Sequence, residues 1–530
     1  MNETFLSRLG SPFWEEQWSP RAMMSIESVP YVLGLLLVMW TTYAWTTSNS
    51  TLNKLPHINS LGFFSGNEAK KEWRASAKTL LQRARKQFPN QPYRMRTEWG
   101  NVLMLQSEWF PEIRNDAHFS FIGTFSQERI CEIPGFQPLS AFGKDGKILQ
   151  AVAKNQLTKH AGQVTAPLSE EISFAVSLNI GESPEWREMT LMPAVYDITT
   201  RMSSRVFLGE ALARNEDWLD VSKNYAIELL KSIDELTKYP KDLRPYIGWM
   251  FPSVKRVQGY YARATSLIDP IMKQREATKQ AAIAAGEPVP KFNDVLEWVA
   301  QEAKVQGMRT DATTCQLTLS LVAIATTADL LHCVMLDLIQ HPEYIQALRE
   351  EIVQALRADG WTKTSLYNMK LLDSVLKETQ RVKPFFTALR RSVDADTKLS
   401  DGTVLKKGSR VHIDMHRMVD QNVYPDPEEW RGDRFLKLRS QPGKENLAQL
   451  VTVSADHFAF GLGEHACPGR FFAANETKIA LCHLLLKYDW ELAPGTSLDI
   501  QLLGFNQRSN TNAKVLCRRR KTVEFDIDSI

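Results

Sequence analysis

The sequence predicts a mostly α fold with small β-sheets inserted into it, an α+β class. Apolar residues recur at helical spacing through most of residues 150–350. The longest such run extends from Thr310 to Gln340 and would form a helix about 45 Å long. A turn signal at Asp401-Gly402, between short β-type segments, predicts a hairpin. With 530 residues, 43% of them hydrophobic, the chain can bury a large core.

The N-terminal region predicts a membrane anchor at residues 29–46, after a tail at 1–28. Residues 29–44 carry no charge and have aromatic side chains near both ends, as in helices that meet lipid headgroups. A cleaved signal peptide is the competing interpretation, but residues 1–28 hold four Glu against two Arg, whereas a signal peptide begins with a positive segment. Basic residues after the anchor predict a cytosolic catalytic domain.

The remaining elements are predicted from periodicity and turn signals. In chain order they are a linker at 47–66, an amphipathic helix at 69–88, two strands at 93–97 and 102–105, the long helices of 150–350, a β region at 394–412 and a strand pair between 498 and 516. No internal repeat or low-complexity tract interrupts them. Residues 67–530 are therefore predicted to form one large domain.

Charge and cysteine content exclude some classes of function. The net charge is +3 with 24% charged residues, so no strong positive field indicates a nucleic-acid partner. The six cysteines are scattered without metal-type pair spacing, and nothing in their arrangement indicates a disulfide framework.

Residues 460–470, FGLGEHACPGR, carry the strongest functional signal. One cysteine, Cys467, lies on a glycine-bracketed loop directly before a long apolar helix. Backbone N–H groups aimed at the sulfur would stabilise a thiolate, and Gly463 and Gly469 would let the backbone approach it closely. This arrangement predicts a thiolate ligand for a haem iron, a ligand that favours O–O bond cleavage. The alternative is a buried structural cysteine or half of a disulfide.

Phe460, Gly463, Cys467 and Gly469 match the pattern Phe-x-x-Gly-x-x-x-Cys-x-Gly, the signature of the cytochrome P-450 family. The chain resembles that family from about residue 50 to its end, although His465 stands where many members carry Arg. The resemblance implies the P-450 fold and haem b, iron protoporphyrin IX, with Cys467 as the iron ligand. It also implies that the motif residues and His465 contact the haem.

A second part of the resemblance is the sequence Lys377-Glu378-Thr379-Gln380-Arg381. Glu378 and Arg381 lie three residues apart on one helix face, where they can pair. Residues 426–435 resemble the family's Pro/Glu/Arg/Phe stretch, which implies that Arg434 completes a buried triad behind the haem. Taken alone, the first two residues would be read as a surface ion pair; their order relative to Cys467 favours the triad.

The run from Thr310 to Gln340 resembles the family's central helix over the haem. Thr327, preceded by Ala323-Ile324-Ala325-Thr326, matches the threonine that assists oxygen activation. Thr326 stands where the family carries an acid, and Asp329 points about 200° around the helix from Thr327. Proton delivery is therefore predicted through Thr326, Thr327 and water. In the alternative interpretation both hydroxyls only bond to their own helix.

The resemblance also implies residues around the haem edge and the substrate. His465 and either Arg390 or Arg391 would bind the haem propionates. The small or apolar side chains expected in the substrate pocket are Ala323, Ala325, Phe385, Phe386, Thr387 and Ala388. Such walls suit a bulky apolar molecule. The aromatic, Pro-containing segment 240–254 is a candidate for dipping into the bilayer.

The resemblance implies a membrane-anchored monooxygenase of the endoplasmic reticulum that oxidises a small apolar substrate. Its electrons would come from an NADPH-dependent flavoprotein reductase, a separate partner because the 530 residues hold no Rossmann-type glycine run. Residues 470–473 and 324–327 resemble fungal biosynthetic members, which commonly act on terpenoids. The alternatives are a reductase-independent haem-thiolate isomerase or dehydratase, and a non-catalytic haem-binding sensor or carrier.

Overall fold

The computed structural model describes residues 29–48, 54–59, 66–141, 146–522 and 525–530. The chain divides into two compact units. The smaller unit contains the N-terminal helix and residues 398–405, and the larger unit is formed by residues from 56–397 and 406–530. The predicted tail at 1–28 and most of the predicted linker at 47–66 lie outside the described residues.

Helices make up most of the described chain, as the predicted fold class requires. They are α1 Val29–Ser48, α2 Gly66–Gln87, α3 Phe110–Ile113, α4 Gly123–Ser126, α5 Gln137–Ser140, α6 Gly146–Ala151, α7 Thr158–Ile180, α8 Leu191–Leu208, α9 Glu210–Ala213, α10 Glu216–Leu236, α11 Arg244–Ile247, α12 Pro252–Ala285, α13 Val295–Val305, α14 Ala312–Gln340, α15 Glu343–Asp359, α16 Lys363–Asn368, α17 Lys370–Val382, α18 Arg434–Arg439 and α19 Arg470–Lys487. The predicted helix at 69–88 corresponds to α2.

The strands are short and lie between helical segments. They are β1 Tyr93–Thr97, β2 Gly100–Leu105, β3 Phe119–Ser120, β4 Arg187–Thr190, β5 Ala388–Val393, β6 Thr397–Lys398, β7 Val404–Leu405, β8 Arg410–Asp414, β9 Tyr488–Leu492, β10 Gln501–Leu503, β11 Asn506–Arg508 and β12 Lys514–Arg519. The predicted strand pair between 498 and 516 is the antiparallel hairpin β10–β11.

Helix α14 is the centre of the larger unit. Asp311 caps its first turn by accepting a hydrogen bond from the Thr314 N–H at 2.7 Å. The helix is apolar on nearly every face, so it packs against neighbours all around, namely α8, α10, α12, α17 and α19. The long helix predicted from Thr310 to Gln340 is thus confirmed, and it fixes one wall of the site described below.

The largest sheet has the strand order β1-β2-β8-β5-β3. Strands β2 and β8 are parallel, and the other neighbours are antiparallel. Alternate residues of β5 face opposite sides of this sheet. That alternation separates Arg390 from Arg391, the two residues that the sequence left as alternatives.

The predicted hairpin turn forms within the smaller unit. The Leu399 N–H donates to the Thr403 carbonyl at 2.9 Å, and Gly402 has the positive φ of +90° that such a turn requires. In the same unit, the side chains of residues 30–42 in α1 are exposed. Only α14, among the described helices, is long and apolar enough to cross a membrane, and it is largely buried; the apolar part of α1, Pro30–Thr42, is shorter.

Candidate functional site

Backbone hydrogen bonds fold the loop before α19 back on itself. The Cys467 N–H donates to the Phe460 carbonyl at 2.6 Å, with one 3-10 turn, Gly463–His465, between them. Helix α19, 18 residues long, begins at Arg470. The fold therefore presents Cys467 just ahead of a helix N-terminus.

Two glycines of this loop, Gly463 and Gly469, differ in how strongly their positions require glycine. Gly463 has φ +74°, and a Cβ there would lie 2.5 Å from both the Arg114 carbonyl oxygen and Asn115 Oδ1. Gly463 is therefore required by packing against residues 114–115. Gly469 has φ −86°, and a Cβ there would meet no atom of the described chain within 4 Å. The space beside Gly469 is open on that side.

Opposing effects act on the pKa of the Cys467 thiol, and burial is the largest of them, so the pKa is raised. Burial raises the pKa of the Cys467 thiol, whereas the N–H groups of Gly469 and Arg470 and the charge of Arg470 lower it. Donors at the start of a helix stabilise a negative sulfur. The Arg470 guanidinium also donates to the Cys467 carbonyl at 2.8 Å. All six cysteines are free thiols, so Cys467 is available as a ligand.

A buried positive charge lies beside this loop. Arg391 is 2% exposed, and among the residues that the structure describes its Nε and Nη2 have no hydrogen-bond partner. Burial lowers the pKa of Arg391 to about 10. Burial, and next the charge of Arg391, lower the pKa of His465, whose Nε2 lies 3.0 Å from the Phe119 carbonyl oxygen. A buried guanidinium with free donors fits a carboxylate such as a haem propionate.

Arg390 has different surroundings on the other side of β5. Its guanidinium lies 5.8 Å from the centre of the Trp99 ring and 6.0 Å from that of Phe386. Burial lowers the pKa of Arg390, and the charges of Glu98 and Glu128 act in the opposite direction. Arg390 thus has acidic neighbours of its own, and the geometry favours Arg391 as the residue next to His465.

Thr326 and Thr327, the two candidate threonines of α14, are not equivalent. Thr327 is buried, whereas Thr326 is half-buried and its hydroxyl donates to the Val322 carbonyl at 2.8 Å. The back-bonding alternative therefore holds for Thr326. Asp329 points away, as expected, and accepts two hydrogen bonds from Ser509. Asp329, the acidic residue nearest in sequence to Thr327, therefore binds Ser509.

Glu378 contacts both Arg381 and Arg434. Arg381 donates twice to the Glu378 carboxylate at 2.8 Å, and Arg434 Nε donates to the same group at 2.9 Å. Glu378 and Arg381 are fully buried. The remaining Arg381 donor binds two carbonyls, those of Met418 and Pro427. These bonds tie α17 to the chain that leads to the cysteine loop.

The expected pocket residues come from α14 and from the segment 385–388, and one of them, Ala388, has different surroundings from the rest. The Phe385 and Phe386 rings meet edge-on with centres 4.8 Å apart, and the Thr387 N–H donates to the Phe505 carbonyl at 2.9 Å. Ala323 is partly buried against the main core, and Ala325 on the same helix is half-buried. Ala388 differs, because it is buried in the core cluster that Phe505 shares with the first strands.

The hairpin β10–β11 was not named as part of the site by the sequence. It joins the expected pocket segment through Phe505, through a bridge between Phe386 and Asn506, and through the Gln507 N–H, which donates to the Phe385 carbonyl at 2.9 Å. The hairpin itself was predicted. Its contact with residues 385–387, more than 110 positions earlier in the chain, has no local signal in the sequence.

Comparisons with known proteins agree with this geometry. A family model described as cytochrome P450 matches residues 163–512. The chain is 41% identical over 470 residues to the cytochrome P450 monooxygenase hepE of Aspergillus oryzae, covering 88% of this chain and 86% of that protein. It is also 41% identical over 482 residues to the cytochrome P450 monooxygenase eqxH of Fusarium heterosporum, covering 90% of this chain and 92% of that protein.

A solved structure has the same fold. Retinoic acid-bound cyanobacterial CYP120A1 matches with a TM-score of 0.65, covering 88% of this chain and 99% of that chain at 18% sequence identity. The fold and the long matches define the class of haem-thiolate monooxygenases, which use haem b with a cysteine thiolate ligand and require electrons from a redox partner. The chain belongs to the cytochrome P450 family.

The two arginines of β5 can be distinguished by haem retention. We expect Arg391→Gln to speed haem release about 10- to 100-fold, since charge-assisted hydrogen bonds contribute about 1.5–3 kcal/mol. Arg390→Gln is the matched control and should change release less than about twofold, because that guanidinium lies near Trp99 and two acidic residues. Haem transfer to apomyoglobin measures both rates. Equal acceleration by the two variants would contradict the assignment.

The triad predicts a large difference between two glutamates. Glu378→Gln leaves two guanidinium groups without their carboxylate in the interior and should lower the free energy of unfolding by about 3–5 kcal/mol. Glu429→Gln, which removes an exposed partner of Arg431, should cost no more than about 1 kcal/mol. Urea titration of the purified proteins measures both. A similar loss of unfolding free energy in the two variants would show that the buried network contributes no more to stability than the exposed ion pair.

Proposed function

We propose that this protein is a membrane-bound monooxygenase that oxidises a small apolar, terpenoid-type intermediate of secondary metabolism. The observation that carries the proposal is Cys467, a free thiol facing the N–H groups of Gly469 and Arg470. In this proposal Cys467 is the iron ligand. The terpenoid substrate class rests on the fungal resemblance at residues 324–327 and 470–473, and on the apolar pocket walls.

The haem, when bound, supplies reductive activation of dioxygen, from which one oxygen atom enters the substrate and the other leaves as water. The protein's part is to hold the group and to control protons. Cys467 binds the metal, while the unpaired Arg391 donors, with His465 beside them, bind the propionates. Phe460, Gly463 and Gly469 shape the loop that carries the ligand.

Proton delivery is assigned to Thr327. Thr327 is buried on the helix that carries the expected pocket residues Ala323 and Ala325, and a hydroxyl can accept a proton from water while donating its own. Thr326 is a weaker carrier, since its proton is directed to the Val322 carbonyl. Asp329 is assigned no direct part, because its Oδ1 accepts two hydrogen bonds from Ser509. We therefore infer a route through Thr327 and water without a neighbouring acid.

The pocket walls favour an apolar molecule. Phe385 and Phe386 present two aromatic rings at right angles, and Ala323 and Ala325 leave room opposite them. Thr387 contributes little polarity, because both its N–H and its hydroxyl are directed to the Phe505 carbonyl. Few polar groups remain to orient a substrate, so shape is expected to determine which carbon is oxidised.

Two surfaces support membrane attachment. The side chains of α1 between residues 30 and 42 are apolar and exposed, and we propose residues 29–46 as an anchor in the endoplasmic reticulum. In the larger unit, Trp249 and Met250 are 68% and 61% exposed, which suits insertion into the headgroup region. Phe251 packs instead against Tyr239, with ring centres 5.6 Å apart. We propose an NADPH-dependent flavoprotein reductase as the electron donor.

Labelled dioxygen tests the proposal in membranes that contain the full chain and a reductase. We expect NADPH-dependent products of a terpenoid mixture to gain one labelled oxygen atom. Thr327→Ala should lower product formed per NADPH by about tenfold or more, and Thr326→Ala, whose hydroxyl is directed to its own helix, by less than about twofold.

Two results would contradict the proposal. Products without label would indicate an isomerase or dehydratase, and bound terpenoid without any product would indicate a carrier. The same preparation tests the anchor, since the full chain should sediment with membranes and a chain lacking residues 1–46 should sediment less.

A further inference from the structure

A polar cluster lies inside the apolar core between α14 and the end of β11. It consists of Asp329 and His332 on the helix and Ser509 directly after the strand. The three residues are 5%, 0% and 1% exposed. Polar groups so deeply buried cost free energy unless their hydrogen bonds are satisfied. The hydrogen bonds among these three residues therefore fix how the helix and the end of the strand lie against each other.

The hydrogen bonds of the cluster have one consistent direction. The Ser509 N–H and hydroxyl both donate to Asp329 Oδ1, at 3.0 Å and 2.9 Å. Since the hydroxyl has a single proton, its oxygen must accept from His332 Nδ1, which lies 2.8 Å away. Burial lowers the pKa of His332 to about 4, so this imidazole is neutral and carries its proton on Nδ1.

The segment held by the cluster is the hairpin β10–β11. Its other side is joined to residues 385–387 by the Phe505 carbonyl, which accepts from the Thr387 N–H, and by the Gln507 N–H, which donates to the Phe385 carbonyl, both at 2.9 Å. The hairpin therefore connects two walls of the proposed pocket. Asp329 is the attachment on α14, two residues after Thr327.

We propose that Asp329 is a positioning residue that, through Ser509 and His332, sets the separation between α14 and the β10–β11 hairpin and thereby the width of the pocket. This inference rests on the proposed function for the location of the pocket. A buried carboxylate with directed donors permits one register of the hairpin against the helix, whereas apolar contacts would tolerate sliding. The residue acts on substrate fit through the hairpin and does not touch the reacting atoms.

Ser509→Ala tests the proposal in the full-length haem protein. The probes are imidazole and phenylimidazole, which coordinate haem iron directly and differ in bulk. We expect the ratio of their dissociation constants, read from the Soret band, to change about threefold to tenfold, because the variant removes one buried hydrogen bond that positions the hairpin. Ser509→Thr keeps the hydroxyl and should restore the ratio.

A matched control separates position from stability. Ser203 donates to the buried Glu476 carboxyl group at 2.8 Å, between α8 and α19, and burial raises the pKa of Glu476 to about 8. Ser203→Ala also removes a buried bond from a serine hydroxyl to a carboxyl group and should leave the ratio unchanged. An unchanged ratio in Ser509→Ala would overturn the proposal, and so would an equal change in Ser203→Ala.

Two further features keep the result interpretable. If Ser509→Ala yields no haem protein, Asp329→Asn, which keeps an oxygen for the Ser509 N–H, replaces it with the same expected change and the same contradicting outcome. Azole binding needs neither reductase nor turnover. A failure of the labelled-dioxygen experiment would therefore leave this test intact, and a failure here would leave the monooxygenase activity unaffected.

Discussion

The contact on which the site depends is the one between the Cys467 sulfur and the N–H groups at the start of α19. A buried thiol is by itself a poor ligand, because burial raises its pKa and a metal binds the thiolate. Here the donors of Gly469 and Arg470 oppose that effect. The loop is held in turn by the bond from the Cys467 N–H to Phe460 and by the packing of Gly463 on residues 114–115.

Two buried charged groups of the larger unit differ in how fully they are paired. Glu378 is enclosed by two arginines, so its network can be structural without any ligand. Arg391, in contrast, has two donors without partners in the described chain. An unpaired buried guanidinium is costly unless an anion joins it. That contrast is the reason for proposing Arg391 as the partner of a haem propionate.

The sequence was sufficient to select candidate site residues where those residues are close together in the chain. The cysteine loop, the pair Glu378–Arg381 and the helix carrying Thr327 are local patterns. The α+β class followed from the helical spacing of apolar residues and from the turn signals between short β segments. It was insufficient where partners are distant. Choosing between Arg390 and Arg391 requires the faces of β5, and the bond between Asp329 and Ser509 joins positions 180 apart. Ala388 was assigned to the pocket, although sheet packing buries it with Phe505.

The most direct test of the central claim is the spectrum of the reduced carbonyl complex after Cys467→Ser. The account predicts that the wild-type protein shows the Soret shift of a thiolate ligand, and that the variant loses the shift even if it retains haem. Cys482 is a buried free thiol on α19, and the Cys482→Ser variant should keep the Soret shift. A shift retained by Cys467→Ser, or an imidazole ligand in the wild-type protein, would contradict the account.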